Sequence, residues 1–206
     1  SFMTRAQRRL LEFWLEQGTV IPVTGRTDEA LARVAIEFTS WRVTHHGAVI
    51  RQPDGALPAW WHDQIRPLLM AVQPLLREVA AHLGAGAAAG GYRMSCHALD
   101  EWLTYVSVKA NGEDEALAGA RARLLEFGLP PELALHCNGA NLAVMVRGAQ
   151  KHDAVRRVAM ELERGGPIVT LGAGDSLTDI PFLQACDFAL TPRNSQIQRE
   201  TWDGRF

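Results

Sequence analysis

The chain has 206 residues, of which 47% are hydrophobic and 21% are charged, and its formal net charge at pH 7 is −2. This length holds one large domain or two small ones, and the composition supports a sizeable apolar core. A charge this close to neutral gives no electrostatic case for nucleic acid or an anionic membrane as a partner. No apolar run approaches the roughly 18 residues of a membrane-spanning helix. The three cysteines are widely spaced, and no secretory leader is recognisable, so a reducing, cytoplasmic location is expected.

The first predicted element is a helix. Thr4 and Gln7 form a capping-box pattern, and leucines and a tryptophan follow at helical spacing. A strand is predicted next, over residues 19–24. Because Ser1 is not an initiator residue, we expect either a two-residue scar before Met3 or a chain that begins inside a longer protein.

A strand–turn–helix pattern surrounds Thr24. This residue closes the predicted strand, Gly25 and Arg26 turn the chain, and residues 28–37 are predicted to be helical. A threonine at a strand end can donate its hydroxyl to a bound phosphoryl group, or it can simply satisfy its own turn. Arg26 can pair with phosphate or lie solvated on the first turn of the helix.

The same pattern recurs at residues 167–182. An apolar, β-branched run predicts a strand that is buried on both faces, small residues predict a turn, and a short helix is expected to begin near Ser176. Asp175 then lies at the carboxyl end of a parallel strand, where open α/β sheets bind their ligands. Asp179 follows one helical turn later, so both carboxylates can face one cavity and hold Mg²⁺. The simpler alternative is that Asp175 or Ser176 only caps the helix.

Between these two patterns the sequence predicts a mixed series of strands and helices. In order, they are two strands around a break at 44–47, a helix over 60–83, strands over 92–97 and 102–110, a helix over 113–127, and a hairpin with strands at 132–137 and 142–147 around Asn138-Gly139. Pro67 and Pro74 are expected to kink or divide the first helix, and residues 84–91 to form a flexible link. Adjacent histidines on a strand point to opposite faces, so a surface or hinge role is expected for His45 and His46.

Lys151 opens a predicted helix that runs to Glu163, and a last short strand is predicted from Asp187 to Leu190. A lysine at a helix start opposes the macrodipole, so an ordinary helix would favour an acid there. A functional lysine would explain the choice, and a solvated lysine is the alternative.

These patterns resemble the motifs of the haloacid dehalogenase-like superfamily, in its sucrose-phosphatase and Cof-type branch. The string from Gly174 to Phe182 is similar to the last motif, Val-Thr-Gly-Arg26 is similar to the second, and Lys151 is similar to the lysine of the third. His46 begins a His-Gly-Ala string where that branch commonly carries Asn-Gly-Ala, so the role of the asparagine has no direct counterpart here.

The resemblance implies an α/β fold in which a doubly wound, mostly parallel, Rossmann-like sheet carries an inserted mixed α/β cap domain. It places the core at residues 1–44 and 148–206 and the cap at residues 45–147. It also implies a Mg²⁺-dependent phosphomonoester hydrolase that acts through an aspartyl phosphate on a small phosphorylated metabolite such as a sugar phosphate. The implied catalytic residues are Thr24, Lys151 and Asp179, the phosphate-binding residues are Thr24, Gly25, Arg26 and Lys151, and the metal ligands are Asp175 and Asp179.

One motif of the superfamily has no counterpart. An Asp-x-Asp at the end of the first strand supplies the nucleophile in that superfamily, and no Asp-x-Asp occurs in the chain. That strand is central in the implied fold, between those ending at Thr24 and Asp175, and its loss would leave two strand edges unpaired inside a core. We therefore expect that the given sequence starts downstream of it. The alternatives are a degenerate, non-catalytic phosphate- or sugar-phosphate-binding protein and a phosphomutase on the same scaffold.

Overall fold

The computed structural model describes residues 4–110, 114–138 and 141–201. The helices of this part are α1 (Arg5–Gln17), α2 (Asp28–Ala32), α3 (Ala59–Ala87), α4 (Asp114–Phe127), α5 (Lys151–Glu163), α6 (Ile180–Leu183) and α7 (Gln196–Thr201). The strands are β1 (Arg42–Thr44), β2 (Val49–Arg51), β3 (Tyr92–Leu99), β4 (Trp102–Ala110), β5 (Leu133–Asn138), β6 (Asn141–Val146), β7 (Leu171–Ala173) and β8 (Phe188–Leu190). Short 3₁₀ turns occupy His45–Gly47 and Leu177–Asp179. The predicted mixed α/β class is confirmed.

The N-terminal elements are shorter than predicted. The capping box of α1 forms, with Gln7 N–H donating to Thr4 Oγ1 at 3.2 Å. The strand predicted over 19–24 is reduced to one parallel bridge between Val23 and Val43, because Pro22 has no N–H to extend the ladder. The helix predicted to reach residue 37 ends at Ala32, and the residues after it include β-branched residues that form helix poorly.

The largest sheet has four antiparallel strands in the order β3-β4-β6-β5, and α3 and α4 pack against it. The predicted strands and hairpin of this region are confirmed, although Glu113 and Gly139 lie outside the described residues. Val106 and Val144 on adjacent strands are fully buried under α3. The face of this sheet opposite α3 carries Tyr105, which lies against His46.

The long helix α3 runs for 29 residues through Pro67 and Pro74, so they do not divide it, and a kink at these residues stays a prediction. Its apolar side is buried along the whole length, and this packing outweighs the hydrogen bonds that two prolines remove. The helix also continues into the stretch predicted to be a flexible link. Gly86 lies against α4 there, and a Cβ on it would fall 2.5 Å from Arg123 Nε, so small residues serve close packing.

One apolar cluster joins the predicted core and cap. It includes Val43 of β1 and Val158 of α5 together with Leu76 of α3 and Val106 of β4. The apolar core therefore continues across the domain boundaries predicted near residues 45 and 147. The division into two domains stays a prediction. None of the described helices is both long and apolar enough to cross a membrane.

β7 and β8 pair in parallel, and among the described residues neither pairs with another named strand. The prediction of a strand buried on both faces is wrong here: Val169 is 77% exposed, and Leu171 and Phe188 are exposed as well. The physical reason is that α6 packs on the face of β7 that carries Gly172, whereas the opposite face, with Leu171 and Ala173, is exposed. Parallel pairing in the described chain is thus confined to β7–β8 and the Val23–Val43 bridge.

Candidate functional site

The loop after Val23 forms the first wall of the site. The Thr24 Oγ1 accepts a hydrogen bond from the Arg26 N–H at 3.2 Å, so this hydroxyl satisfies its own turn. Accepting that bond leaves the hydroxyl proton free, and Thr24 keeps the ability to donate to a phosphoryl oxygen. The Thr24 carbonyl accepts from the His46 N–H at 3.2 Å, which ties this loop to the next segment.

The His45–Gly47 turn is the central connection of the site. His45 and His46 have φ of 51° and 60°, a left-handed conformation that histidine adopts more readily than most residues. Both side chains are buried under the neighbouring sheet, so the surface alternative is wrong, and the hinge role stays a prediction. A Cβ on Gly25 would fall 2.3 Å from His46 Cε1, and one on Gly47 would fall 2.2 Å from the Gln150 carbonyl carbon. Two glycines therefore allow this turn to contact both the Thr24 loop and the start of α5.

Lys151 is the first residue of α5, and its ammonium is already paired. Its Nζ donates to Asp179 Oδ1 at 2.7 Å, and the two side chains are only 15% and 6% exposed. The solvated-lysine alternative is therefore wrong. Asp153 accepts from the Gln150 N–H at 3.0 Å and places a negative charge in the first turn, which offsets the unfavourable position of the lysine in the helix dipole.

Asp179 also organises the loop that carries Asp175. Its Oδ2 accepts from the N–H groups of Asp175 and Ser176, both at 3.1 Å, and from Ser176 Oγ at 3.0 Å. Burial alone would raise the pKa of Asp179, but the charge and hydrogen bond of Lys151 and the hydrogen bonds of Ser176 together hold it below its ordinary value. Asp179 is therefore an anion at neutral pH, and both of its oxygens are engaged. The predicted short helix does begin at Ser176, which is its N-cap.

The Asp175 carboxylate is exposed, and within the described residues it has no hydrogen bond or ion pair. Its backbone is held at both ends, since the N–H donates to Asp179 and the carbonyl accepts from the Ile197 N–H at 3.2 Å. No group of three or more His, Cys, Asp or Glu side chains in the described chain is placed to hold a metal ion. A free carboxylate at a strand end still fits Mg²⁺, which is often bound by one or two carboxylates with water and phosphate oxygens. The geometry favours Asp175 over Asp179 as the direct ligand.

Aromatic and histidine side chains of the large sheet face these loops. The His46 ring lies 4.9 Å from Tyr105 and 5.0 Å from His136, between ring centroids, and His97 stacks on Tyr105 at 4.1 Å. The strand β5, which carries His136, packs against the Leu177–Asp179 turn. We call His46, His97, Tyr105 and His136 the histidine cluster.

The sequence reasoning missed the three members of the histidine cluster that lie on the sheet. A signal was available on β4, where Tyr105, Ser107 and Lys109 alternate with buried valines and mark a polar face. The pairing of His97 with Tyr105 across two strands depends on register and is not visible in the sequence.

Burial is the main cause that lowers the pKa of His46 and of His136, and the nearby Lys151 charge lowers both further. His136 lies beside His46 and adds to the effect on it, while Asp179 opposes the shift of His136. Both imidazoles are consequently neutral at neutral pH. Together, these elements define a mixed α/β protein whose polar groups gather where two strand ends, a helix start and an aromatic sheet face meet.

Comparison with known proteins identifies solved structures of similar fold. No protein-family model matches the chain. No curated protein matches it either. Solved structures do: sucrose-phosphatase from Synechocystis sp., in complex with sucrose and phosphate, is 17% identical with a TM-score of 0.67 over 100% of this chain and 83% of its own. The C-terminal domain of trehalose-6-phosphate phosphatase from C. albicans is 14% identical with a TM-score of 0.62 over 88% of this chain and 65% of its own.

A haloacid dehalogenase-like hydrolase from B. subtilis is 17% identical with a TM-score of 0.54, over 91% of this chain and 82% of its own. At these identities the likeness is one of fold. The chain has the haloacid dehalogenase-like fold, as its motifs imply.

Proposed function

We propose that this protein is a Mg²⁺-dependent phosphomonoester hydrolase that works through an aspartyl phosphate on a small phosphorylated metabolite such as a sugar phosphate. The observation that carries the proposal is the unbroken series of contacts from the Thr24 loop, through His46 and Gly47, to Lys151 and Asp179 beside the free Asp175 carboxylate. Two solved structures of similar fold are phosphatases of sucrose phosphate and trehalose 6-phosphate by name, which supports a sugar phosphate as the substrate class.

Each residue of the site has a distinct part in the proposal. The Lys151 ammonium and the Thr24 hydroxyl bind phosphoryl oxygens, with the Gly25-Arg26 turn beside them. Asp175 holds the metal ion, which would supply further positive charge to the phosphoryl group as its charge redistributes. Asp179 fixes Lys151 and the Asp175 loop, and its assignment as a second metal ligand stays a prediction.

The nucleophile is assigned to a strand outside the described residues. Asp179 is enclosed by its partners and Asp175 serves the metal, so neither is placed to accept a phosphoryl group. Among the described strands β7 pairs with β8 alone, so its other edge is open to a further strand, and an aspartate at the end of such a strand would lie beside Asp175. In this scheme the first aspartate of the Asp-x-Asp bonds to phosphorus as the bond to the leaving oxygen breaks, and the second aspartate, protonated, gives that oxygen its proton so that the alcohol leaves. Water then attacks phosphorus, the second aspartate takes a proton from it, and the bond from phosphorus to the first aspartate breaks to release inorganic phosphate.

A second candidate rests on one observation, the absence of Asp-x-Asp from the sequence. A protein that binds phosphate or a sugar phosphate without hydrolysing it would need Lys151, Thr24 and Asp175 but no nucleophile. The two functions share the same binding site and differ only in turnover.

Binding and turnover test the proposal separately. Inorganic phosphate should bind the chain in the presence of Mg²⁺, as measured by calorimetry, and Lys151→Met should weaken binding by at least about tenfold because a buried charged donor is lost. Lys109→Met, at an exposed lysine of β4, is the matched control and should bind normally. Asp175→Asn should remove the Mg²⁺ dependence, whereas Asp63→Asn on the exposed side of α3 should not. If phosphate binds neither wild type nor control, the site assignment is wrong.

Turnover of para-nitrophenyl phosphate with Mg²⁺ separates the two functions. The chain as sequenced should show none, and a form carrying an added N-terminal strand with Asp-x-Asp should hydrolyse it, with most of the rate lost in Lys151→Met and in Asp175→Asn. Hydrolysis by the chain as sequenced would place the nucleophile among its own residues. Binding without turnover in either form supports the non-catalytic binder.

A further inference from the structure

Two buried histidines of the cluster have polar atoms that the fold does not use. His46 and His136 are 9% and 8% exposed, and within the described chain neither ring makes a hydrogen bond. The other histidines nearby are satisfied: His45 Nδ1 lies 2.8 Å from Thr104 Oγ1, and His97 Nε2 lies 2.8 Å from Ser107 Oγ. Buried polar groups are nearly always paired, so two adjacent exceptions call for an explanation.

The unpaired nitrogens are not sealed inside the protein. The fully enclosed side-chain polar atoms that lack a hydrogen bond in the described chain are Arg123 Nε on α4 and Glu161 Oε2 on α5. The ring nitrogens of His46 and His136 are absent from that set, so they keep contact with solvent. Their position is also restricted, because His46 lies against Gly25 of the Thr24 loop and the strand of His136 packs on the turn of Asp179.

The chemistry of this pair differs from that of the phosphate site beside it. A neutral imidazole has one nitrogen that donates and one that accepts, and a hydroxyl group likewise donates and accepts. A second anionic group would instead require a cation, and the cation available here, Lys151, already serves the phosphate site. Adjacent neutral imidazoles with unpaired nitrogens therefore suit an uncharged, hydroxyl-bearing ligand.

We propose that His46 and His136 form a recognition site for hydroxyl groups on the alcohol portion of a phosphate monoester, with the phosphate bound at Lys151. This inference rests on the proposed function, and it narrows the substrate class to polyol phosphates and away from plain aryl phosphates or esters with a second anion. His46 and His136 are the specificity-determining residues in this assignment, and substitution of His136 leaves the affinity for inorganic phosphate unchanged.

Calorimetry at about pH 7.5, where both imidazoles are neutral, tests the assignment with Mg²⁺ present. The probes are inorganic phosphate, phenyl phosphate, glycerol 3-phosphate, glucose 6-phosphate, sucrose 6-phosphate and trehalose 6-phosphate. At least one hydroxyl-bearing ester should bind about tenfold more tightly than phenyl phosphate. Phenyl phosphate has no hydroxyl group, so it would leave the buried imidazole nitrogens without a hydrogen-bond partner. His136→Phe should reduce that preference to less than about threefold, while His136→Gln, which keeps a donor and an acceptor, should retain part of it.

His46→Gly provides a second, independent removal of the recognition site, because glycine adopts the φ of 60° at this position without strain. His62→Phe on α3, outside the cluster, is the matched control and should keep the full preference. Inorganic phosphate should bind the His136 variants and His62→Phe with affinities within about threefold of wild type, since Lys151 and the Thr24 loop are untouched. Phosphate binding without any preference for hydroxyl-bearing esters, or a preference that survives both His136→Phe and His46→Gly, overturns the assignment. Absence of phosphate binding overturns the proposed function, and the inference falls with it.

Discussion

The contact between Gly25 and His46 can be tested by adding a single methyl group. A Cβ at position 25 would fall 2.3 Å from Cε1 and 2.5 Å from Nε2 of the His46 ring, so Gly25→Ala must displace that ring. The ring has little room, because Tyr105 and His136 lie 4.9 and 5.0 Å away between ring centroids. Overpacking of a filled site costs typically about 1–3 kcal/mol, and contacts on several sides place the expected loss at about 2–3 kcal/mol.

A double-mutant cycle isolates this contact from other effects. His46→Gly removes the ring and tolerates the left-handed backbone, so Gly25→Ala in that background should cost less than about 1 kcal/mol. Urea unfolding of the four proteins gives the free energies, with equal m-values as the check that the compared states are the same. Gly119→Ala on α4, where a Cβ meets nothing within 4 Å, is the control and should not destabilise. Costs that add within about 0.5 kcal/mol would refute the contact.

Three further predictions concern stability. As pH falls below about 6.5, the free energy of unfolding should decline by up to about 1.4 kcal/mol per pH unit for each histidine whose folded pKa is lowered. The reason is that the unfolded chain binds more protons than the folded chain until the pH reaches the folded pKa. A free energy of unfolding in urea that stays constant between about pH 7 and 5.5 would contradict this. The histidines with lowered pKa are His45, His46, His97 and His136. Lys151→Met should lower the free energy of unfolding by about 2–4 kcal/mol, which is less than a typical broken buried ion pair because Asp179 keeps three hydrogen-bond donors. A double-mutant cycle with Asp179→Asn should give a coupling energy above about 0.5 kcal/mol. Gly47→Ala should lower the free energy of unfolding by at least about 3 kcal/mol, since φ is 114° and the new Cβ would fall 2.2–2.5 Å from backbone atoms of Gln150 and Lys151. A melting temperature close to that of wild type would disprove this close contact.

The features that the sequence predicts well are set by residues a few positions apart. The box between Thr4 and Gln7 and the turn at Ser176 form because donor and acceptor are three residues apart. Lys151 could be distinguished from an ordinary solvated lysine because its position conflicts with the helix dipole, and the structure resolves the conflict with two aspartates. Local chemistry was sufficient in these cases.

The failures involve contacts between distant parts of the chain. The prolines of α3 do not divide it because the four-stranded sheet and α4 bury its apolar side, which no local rule registers. His45 and His46 are buried because β4 and β5 cover them, although two adjacent histidines suggest a surface. The exposure of Leu171 depends on which elements pack on its face of β7, and local sequence does not register elements that are distant along the chain.

The Lys151–Asp179 pair shows how a costly arrangement can serve binding. A buried ion pair seldom adds much net stability, because both charges lose their hydration. An ammonium has three N–H donors, and in the described chain the Lys151 ammonium gives one of them to Asp179, while the Phe182 ring lies 5.9 Å from the nitrogen. Two donors therefore remain available at a position that Asp179 fixes beforehand. The cost of ordering this lysine is thus met during folding rather than when an anion binds. In the proposed function, an incoming phosphate would therefore encounter a cation already in place.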